Sequence, residues 1–160
     1  MVRTLLPWFE NISKRQIKSP KIYFRDSGIY HALLNITDYK DLLIHPNLGA
    51  SWEGMALEEI IRFEKLDRDQ CYFWGIHAQA ELDLLIFKEG KRLGFEFKYT
   101  DKPRVTASLQ AAMEHLKLDH IYVISPGEHQ FKLTSNITAV GLAKYILLGN
   151  HFADSYAEHK

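Results

Sequence analysis

An α/β fold built on a mixed central sheet is predicted by three features of this 160-residue chain. First, "LGASWEGMALEEIIRFEKL", from Leu48, places Trp52, Ala56, Ile60 and Phe63 on one stripe, the spacing of an amphipathic helix. Second, "QCYFWGI", "AELDLLIFK" and "GKRLGFEFKY" are short apolar segments divided by turn residues, which predicts an antiparallel meander. Third, "PRVTASLQAAMEHLKL" reads as a helix with Pro103 near its first turn, followed by the apolar strand "HIYVIS". A helical crossover of that kind predicts that "HIYVIS" lies parallel to the "FEFK" strand.

The remaining segments are read in chain order. Residues 1–20 mix "PWF" with a basic run and show no period, so they are expected to form a loop or arm. "KIYF" is a short strand, and Asp26 or Ser27 and then Asp38 are the N-caps expected for helices in "SGIYHALLNI" and "YKDLLI". Pro46, Asn47 and Gly49 close this region, and "NITAVGLAKYILLG" is expected to add a strand or helix packed on the sheet. The division is thus an N-terminal arm and helical extension over 1–47, an α/β core over 48–150 and a frayed tail over 151–160.

Composition narrows the function classes. Twenty basic residues balance twenty acidic ones, so the chain has no global positive field, and any contact with nucleic acid must be local. The single cysteine, Cys71, lies in the apolar "CYFW" and reads as a core residue, which excludes a disulfide framework within the chain. No apolar run approaches the ~18 residues of a membrane span. The start is too polar for a signal peptide, and a cytoplasmic location without membrane contact is expected.

The chemistry concentrates in "LGFEFKYT". Glu96 and Lys98 project from one face of that strand, about 6 to 7 Å apart at the backbone. On the preceding strand, simple alternation puts Glu81, Asp83, Leu85 and Phe87 on one face and Leu82, Leu84 and Ile86 on the other. With Glu89 and Gly90 as turn residues, Lys88 faces Lys91 and Asp83 faces Glu96, bringing two carboxylates within reach of one cation. Ordinary cross-strand ion pairs on a solvated face would account for this pattern. So would a divalent ion, because hard oxygens from Asp83 and Glu96 suit Mg²⁺ or Mn²⁺. Lys98 would then position a water and neutralise charge on a phosphodiester.

The order of "SWEG", "AELD", "FEFK", helix and "HIYVIS" resembles the core of the PD-(D/E)XK nuclease superfamily, the restriction-endonuclease-like fold. More narrowly, "KSPKIYFRDSGIYHALLNI", "GASWEGMALEEII", "YFWGIHAQAELDLLIF" and "GFEFKYT" look like the carboxyl-terminal domain of unknown function in a family of prokaryotic AAA-type ATPases. The resemblance implies Asp83 as pivotal metal ligand, Glu96 as second acidic ligand, Lys98 as catalytic lysine and Glu53 as an acid supporting the metal from the helix. It implies auxiliary positions at Glu81 and Gln110. Leu82 stands where the proline that names the superfamily motif would be. No glycine-rich phosphate loop followed by Lys and Ser or Thr occurs, so no ATP site is expected, and the chain reads as a truncated or separated domain.

The basic residues Lys14, Arg15, Lys18, Lys21 and Arg104 are candidates for tracking a nucleic-acid backbone, or belong to a solvated arm. His77 lacks a second imidazole at ligand spacing and reads as a surface residue. Two functions follow from these residues and the resemblance. One is Mg²⁺-dependent hydrolysis of DNA, or less readily RNA. The other is a non-catalytic recognition module of nuclease-like fold that binds an ATPase module, another protein or nucleic acid.

Overall fold

The computed structural model describes residues 1–148. Its strands are β1 (Val2–Pro7), β2 (Lys21–Phe24), β3 (Cys71–Ile76), β4 (Ala80–Lys88), β5 (Lys91–Phe97), β6 (His120–Ser125), β7 (Gln130–Lys132) and β8 (Ile137–Gly141). The helices are α1 (Ser27–Leu33), α2 (Tyr39–Ile44), α3 (Leu48–Phe63), α4 (Ala107–Leu116) and α5 (Leu142–Leu148). The strands form one mixed sheet in the order β2-β1-β3-β4-β5-β6-β8-β7. The expected meander is β3-β4-β5, and β5, β6 and β8 run parallel, as the α4 crossover requires.

Helices cover both sides. On one face Ala56, Leu57 and Ile60 of α3 and Tyr145 of α5 pack on Leu84, Ile86, Phe95 and Phe97. On the other, Leu109, Ala112 and Leu116 of α4 pack on Trp74, Leu82, Leu85 and Ile121. Two covered faces explain why the central strands carry apolar residues at nearly every position. Asp26 caps α1 by accepting from the Ile29 N–H at 3.0 Å, and Asp38 caps α2 by accepting from the Asp41 N–H at 2.9 Å. Glu89 and Gly90 both take positive φ, 51° and 75°, in the tight turn that pairs Lys88 with Lys91. Cys71 is buried, and burial pushes its thiol up to about 11, the state of a core residue.

Four expectations change. The segment expected to be a loop or arm opens with β1, which pairs antiparallel with β2 and parallel with β3. Its pairing is long-range and leaves no local period to read. Helix α4 starts at Ala107 with Thr106 as its cap, so Pro103 precedes the helix instead of opening it. The segment after Asn136 holds both a strand, β8, and a helix, α5. Simple alternation fails in β4: Leu85 packs with Leu82, while Leu84 and Ile86 belong to the opposite cluster. The tail over 151–160 lies outside the described residues. Among the described residues, no helix is long and apolar enough to cross a membrane.

Two buried carboxylates hold α3 in place. Glu58 receives Arg3 from β1, with a second guanidinium bond at 3.0 Å, and Arg25 at 3.2 Å. Glu64 receives Lys88 of β4 at 2.6 Å and the Tyr145 hydroxyl of α5 at 2.7 Å. Removing the Glu64 carboxylate takes the charge partner from a partly buried ammonium and one hydrogen bond from a buried hydroxyl, so Glu64→Ala should cost about 3 kcal/mol in urea unfolding. Arg62→Ala, which breaks only the exposed Arg62–Glu59 pair, should change stability by less than about 0.5 kcal/mol in the same assay.

Candidate functional site

The site forms where β4 and β5 part. Across β3 and β4, Tyr72 pairs with Leu85 but Trp74 pairs with Leu82, so two steps of β3 span three of β4. The extra residue is a bulge at Asp83 and Leu84, and it shifts the side-chain phase of the strand. Between β4 and β5 the ladder runs from Lys88↔Lys91 to Leu84↔Phe95. The ladder ends one step short of the expected Asp83–Glu96 pair. There Asp83 Oδ2 accepts the Phe97 backbone N–H at 2.9 Å, so a side chain replaces the carbonyl that would have continued the ladder.

Glu96 is buried beside it. Its Oε1 accepts Lys98 Nζ at 2.8 Å, while Oε2, also buried, accepts no hydrogen bond. Burial first, and then the charge of Asp83, push the Glu96 carboxyl up to about 7 against the opposing pull of Lys98. Lys98 has a side chain 52% exposed and faces solvent from the rim. Burial would lower its pKa, but the bond to Glu96 and the charges of Glu96, Asp83 and Glu53 raise it, so it remains an ammonium.

Helix α3 brings Glu53 to the same place. Tyr23 of β2 donates its hydroxyl to Glu53 Oε1 at 2.6 Å, and burial with the nearby Asp83 charge raises the Glu53 carboxyl. Lys21, two residues before Tyr23, sends its ammonium into the middle of the acids. It lies 3.4 Å from Asp83 Oδ1 and 3.6 Å from Glu53 Oε1, forms an ion pair with Glu81, and sits 5.5 Å from the centroid of the Phe73 ring. Lys21, grouped by sequence with the basic residues facing nucleic acid, is thus engaged inside the cluster. Tyr23 and Lys21 are the site residues that sequence reasoning missed in these roles. Their signal was the period-2 spacing in "KIYF", which places them on one strand face.

The structure thus assembles Asp83, Glu96, Lys98, Glu53 and Glu81. Gln110 is exposed on α4, whose tie to the site strand is instead Ser108, accepting the Glu81 N–H at 2.8 Å and donating to the Glu81 carbonyl at 2.6 Å. Lys14, Arg15, Lys18 and Arg104 are exposed. His77 is an exposed turn residue. Among the described residues, no group of three or more His, Cys, Asp or Glu side chains is arranged to hold a metal ion. Two ammoniums lie among these carboxylates, Lys98 at Glu96 and Lys21 between Glu53, Glu81 and Asp83.

Residues 48–145 match the model of a family described as a domain of unknown function (DUF4143). Residues 1–40 match a second model, also described as a domain of unknown function (DUF8612). Two curated relatives are 42% identical over 150 residues, 94% of this chain: uncharacterized protein Rv2008c of Mycobacterium tuberculosis and uncharacterized protein Mb2031c of Mycobacterium bovis. The chain spans about a third, 34%, of the length of each. No solved structure matches.

The raised Glu96 carboxyl sets a pH dependence. Because the folded state holds this proton more tightly than the unfolded chain, Glu96 contributes stability that is complete below about pH 4.5 and is lost as pH rises through about 7. The loss is on the order of 3 kcal/mol. Urea unfolding in chelator-treated buffer should therefore show Glu96→Gln gaining on the parent between pH 5 and pH 8. A difference that stays constant across that range would contradict this account of Glu96.

Proposed function

This chain belongs to the DUF4143 family, and we propose that its acid cluster is the site of a divalent-cation-dependent phosphodiesterase of restriction-endonuclease-like type, acting on DNA. The observation that carries the reading is Glu96 Oε2, a buried carboxylate oxygen without a hydrogen bond, held beside Asp83 where the two strands separate. Asp83 has one oxygen fixed by the Phe97 N–H and directs Oδ1 toward the Lys21 ammonium. Two such carboxylates are a donor set suited to Mg²⁺ or Mn²⁺, which takes one or two carboxylates and fills its other positions with water. The bound ion would supply Lewis-acid stabilisation of the phosphoryl charge.

The remaining work falls to this chain's own side chains. Lys98, anchored by Glu96 but open to solvent, offers a positive charge to a non-bridging phosphate oxygen and orients the attacking water. Glu53, held by the Tyr23 hydroxyl and near the Asp83 charge, is an auxiliary acid. Tyr99, half-exposed after Lys98 and edge-to-face with Trp52 at 5.9 Å, offers a ring on which a base can stack. Exposed Lys14, Arg15, Lys18 and Arg104 would meet backbone phosphates away from the scissile bond.

A second reading has its own observation. Lys21 already neutralises part of the cluster, as in a domain that has kept the fold but serves recognition. In that reading the domain docks an ATPase module, another protein or nucleic acid. The length of the relatives beyond the matched third supports an attached module.

Purified protein should nick supercoiled DNA with Mg²⁺ or Mn²⁺. Asp83→Ala and Lys98→Ala should each lose at least about a hundredfold of that rate. Cleavage that survives in both variants would remove the assignment of this site. Absence of cleavage of supercoiled and single-stranded DNA in the parent would favour the recognition module.

A further inference from the structure

The oxygen of Asp83 that a divalent ion would use is the one that faces Lys21. Oδ2 already accepts the Phe97 N–H, so Oδ1 is the less encumbered oxygen, and the Lys21 ammonium lies 3.4 Å from it. Four carboxylates, Glu53, Glu81, Asp83 and Glu96, surround two ammoniums, Lys21 and Lys98. Lys98 serves Glu96 Oε1 from the rim, which leaves Lys21 as the cation seated among the other three acids. Independently, Glu96 is 94% buried by its 6% exposure, and its Oε2 has no hydrogen-bond partner. The cluster therefore holds a buried carboxyl oxygen, Glu96 Oε2, that accepts from no donor group, in a carboxyl that interacts with Asp83, whose Oδ1 a lysine already approaches.

We propose that Lys21 is an internal counter-cation that competes with the divalent ion for Asp83, and that it sets the site's affinity for that ion by having to withdraw before the ion can enter. This rests on the phosphodiesterase reading and adds a residue that governs loading of its site. The contacts suit a side chain that leaves. Two of the three acid contacts, at 3.4 and 3.6 Å, are at the long end for charge-assisted bonds. The close partner is Glu81, whose side chain is 43% exposed and marks the solvent edge of the cluster. Lys21 itself is 23% exposed on a flexible four-carbon stem, so its ammonium can swing outward while keeping Glu81. An ion arriving at Asp83 Oδ1 and Glu96 Oε2 cannot share the first oxygen with an ammonium at that position without strong like-charge repulsion.

The test is isothermal titration calorimetry of Mn²⁺ into the full chain, metal-free at the outset, with folding of each variant checked by circular dichroism. Lys21→Met should bind Mn²⁺ about tenfold or more tightly than the parent, since a competing positive charge has gone. Lys21→Arg should bind no more tightly than the parent, and adding Glu96→Gln to Lys21→Met should abolish the gain. If Lys21→Met binds no more tightly than the parent, and Glu96→Gln still removes the parent's binding, Lys21 is not a competitor while the cation site stands. If neither parent nor Lys21→Met binds Mn²⁺, the phosphodiesterase reading fails and this inference fails with it. Should Lys21→Met not fold, Lys21→Gln decides: it removes the charge but keeps a polar side chain, so it must tighten Mn²⁺ binding if the Lys21 ammonium competes, and unchanged or weaker binding overturns the proposal.

Discussion

One extra residue in β4 determines what the site can be. Without the bulge opposite Phe73, the alternation of β4 would continue, and the acids would share a face with Leu85 and Phe87. With it, Asp83 lies at the point where β4 and β5 cease to pair, and its carboxylate closes the gap by taking the Phe97 N–H. An unpaired backbone donor in that position would be costly, so the carboxylate has a structural duty as well as a chemical one.

Helix α3 supplies the second constraint. Its apolar stripe fixes the height of the helix over the sheet, but hydrophobic contact is non-directional and does not by itself fix rotation or slide. Glu58 and Glu64, both buried, tie the helix to β1 and the residue after β2 at one point and to β4 and α5 at another. Two anchors on one rigid rod define its position along the sheet. Glu53, one to three turns N-terminal to them, is thereby delivered to Asp83 by contacts that lie outside the acid cluster.

The parts of the fold legible in the sequence were those governed by neighbours in the chain. The caps at Asp26 and Asp38, the Glu89–Gly90 turn and the meander all depend on residues within a few positions of each other. The hairpin register was legible from Lys88 and Lys91 as far as Leu84 and Phe95, one step before the expected Asp83–Glu96 pair. The bulge itself was not legible, since no glycine or proline marks Asp83 or Leu84. Strand β1 escaped for another reason: Leu6 and Pro7 pair with Tyr72 and Phe73, far downstream, and only the tertiary partner makes "VRTLLP" a strand. Lys21 was read with Lys14, Arg15 and Lys18 as one basic run that tracks nucleic acid or lies on a solvated arm, because clustering along the chain says nothing of tertiary partners. Its placement depends on β1 carrying β2 to the sheet margin beside the acids.

That topology also bears on the order in which the chain comes together. The hairpin of β4 and β5 closes over two residues, whereas the parallel pairing of Leu6 with Tyr72 closes a loop of sixty-six positions. Long closures carry a larger entropic cost before they return any contact energy, and they slow folding accordingly. On that argument the carboxylates of β4 and β5 meet first, with only Lys98 beside them, and the strand pair that brings Lys21 docks onto them later. The late step is the arrival of a positive charge at a negative site, so its rate is sensitive to ionic strength in a way that closure of the meander is not.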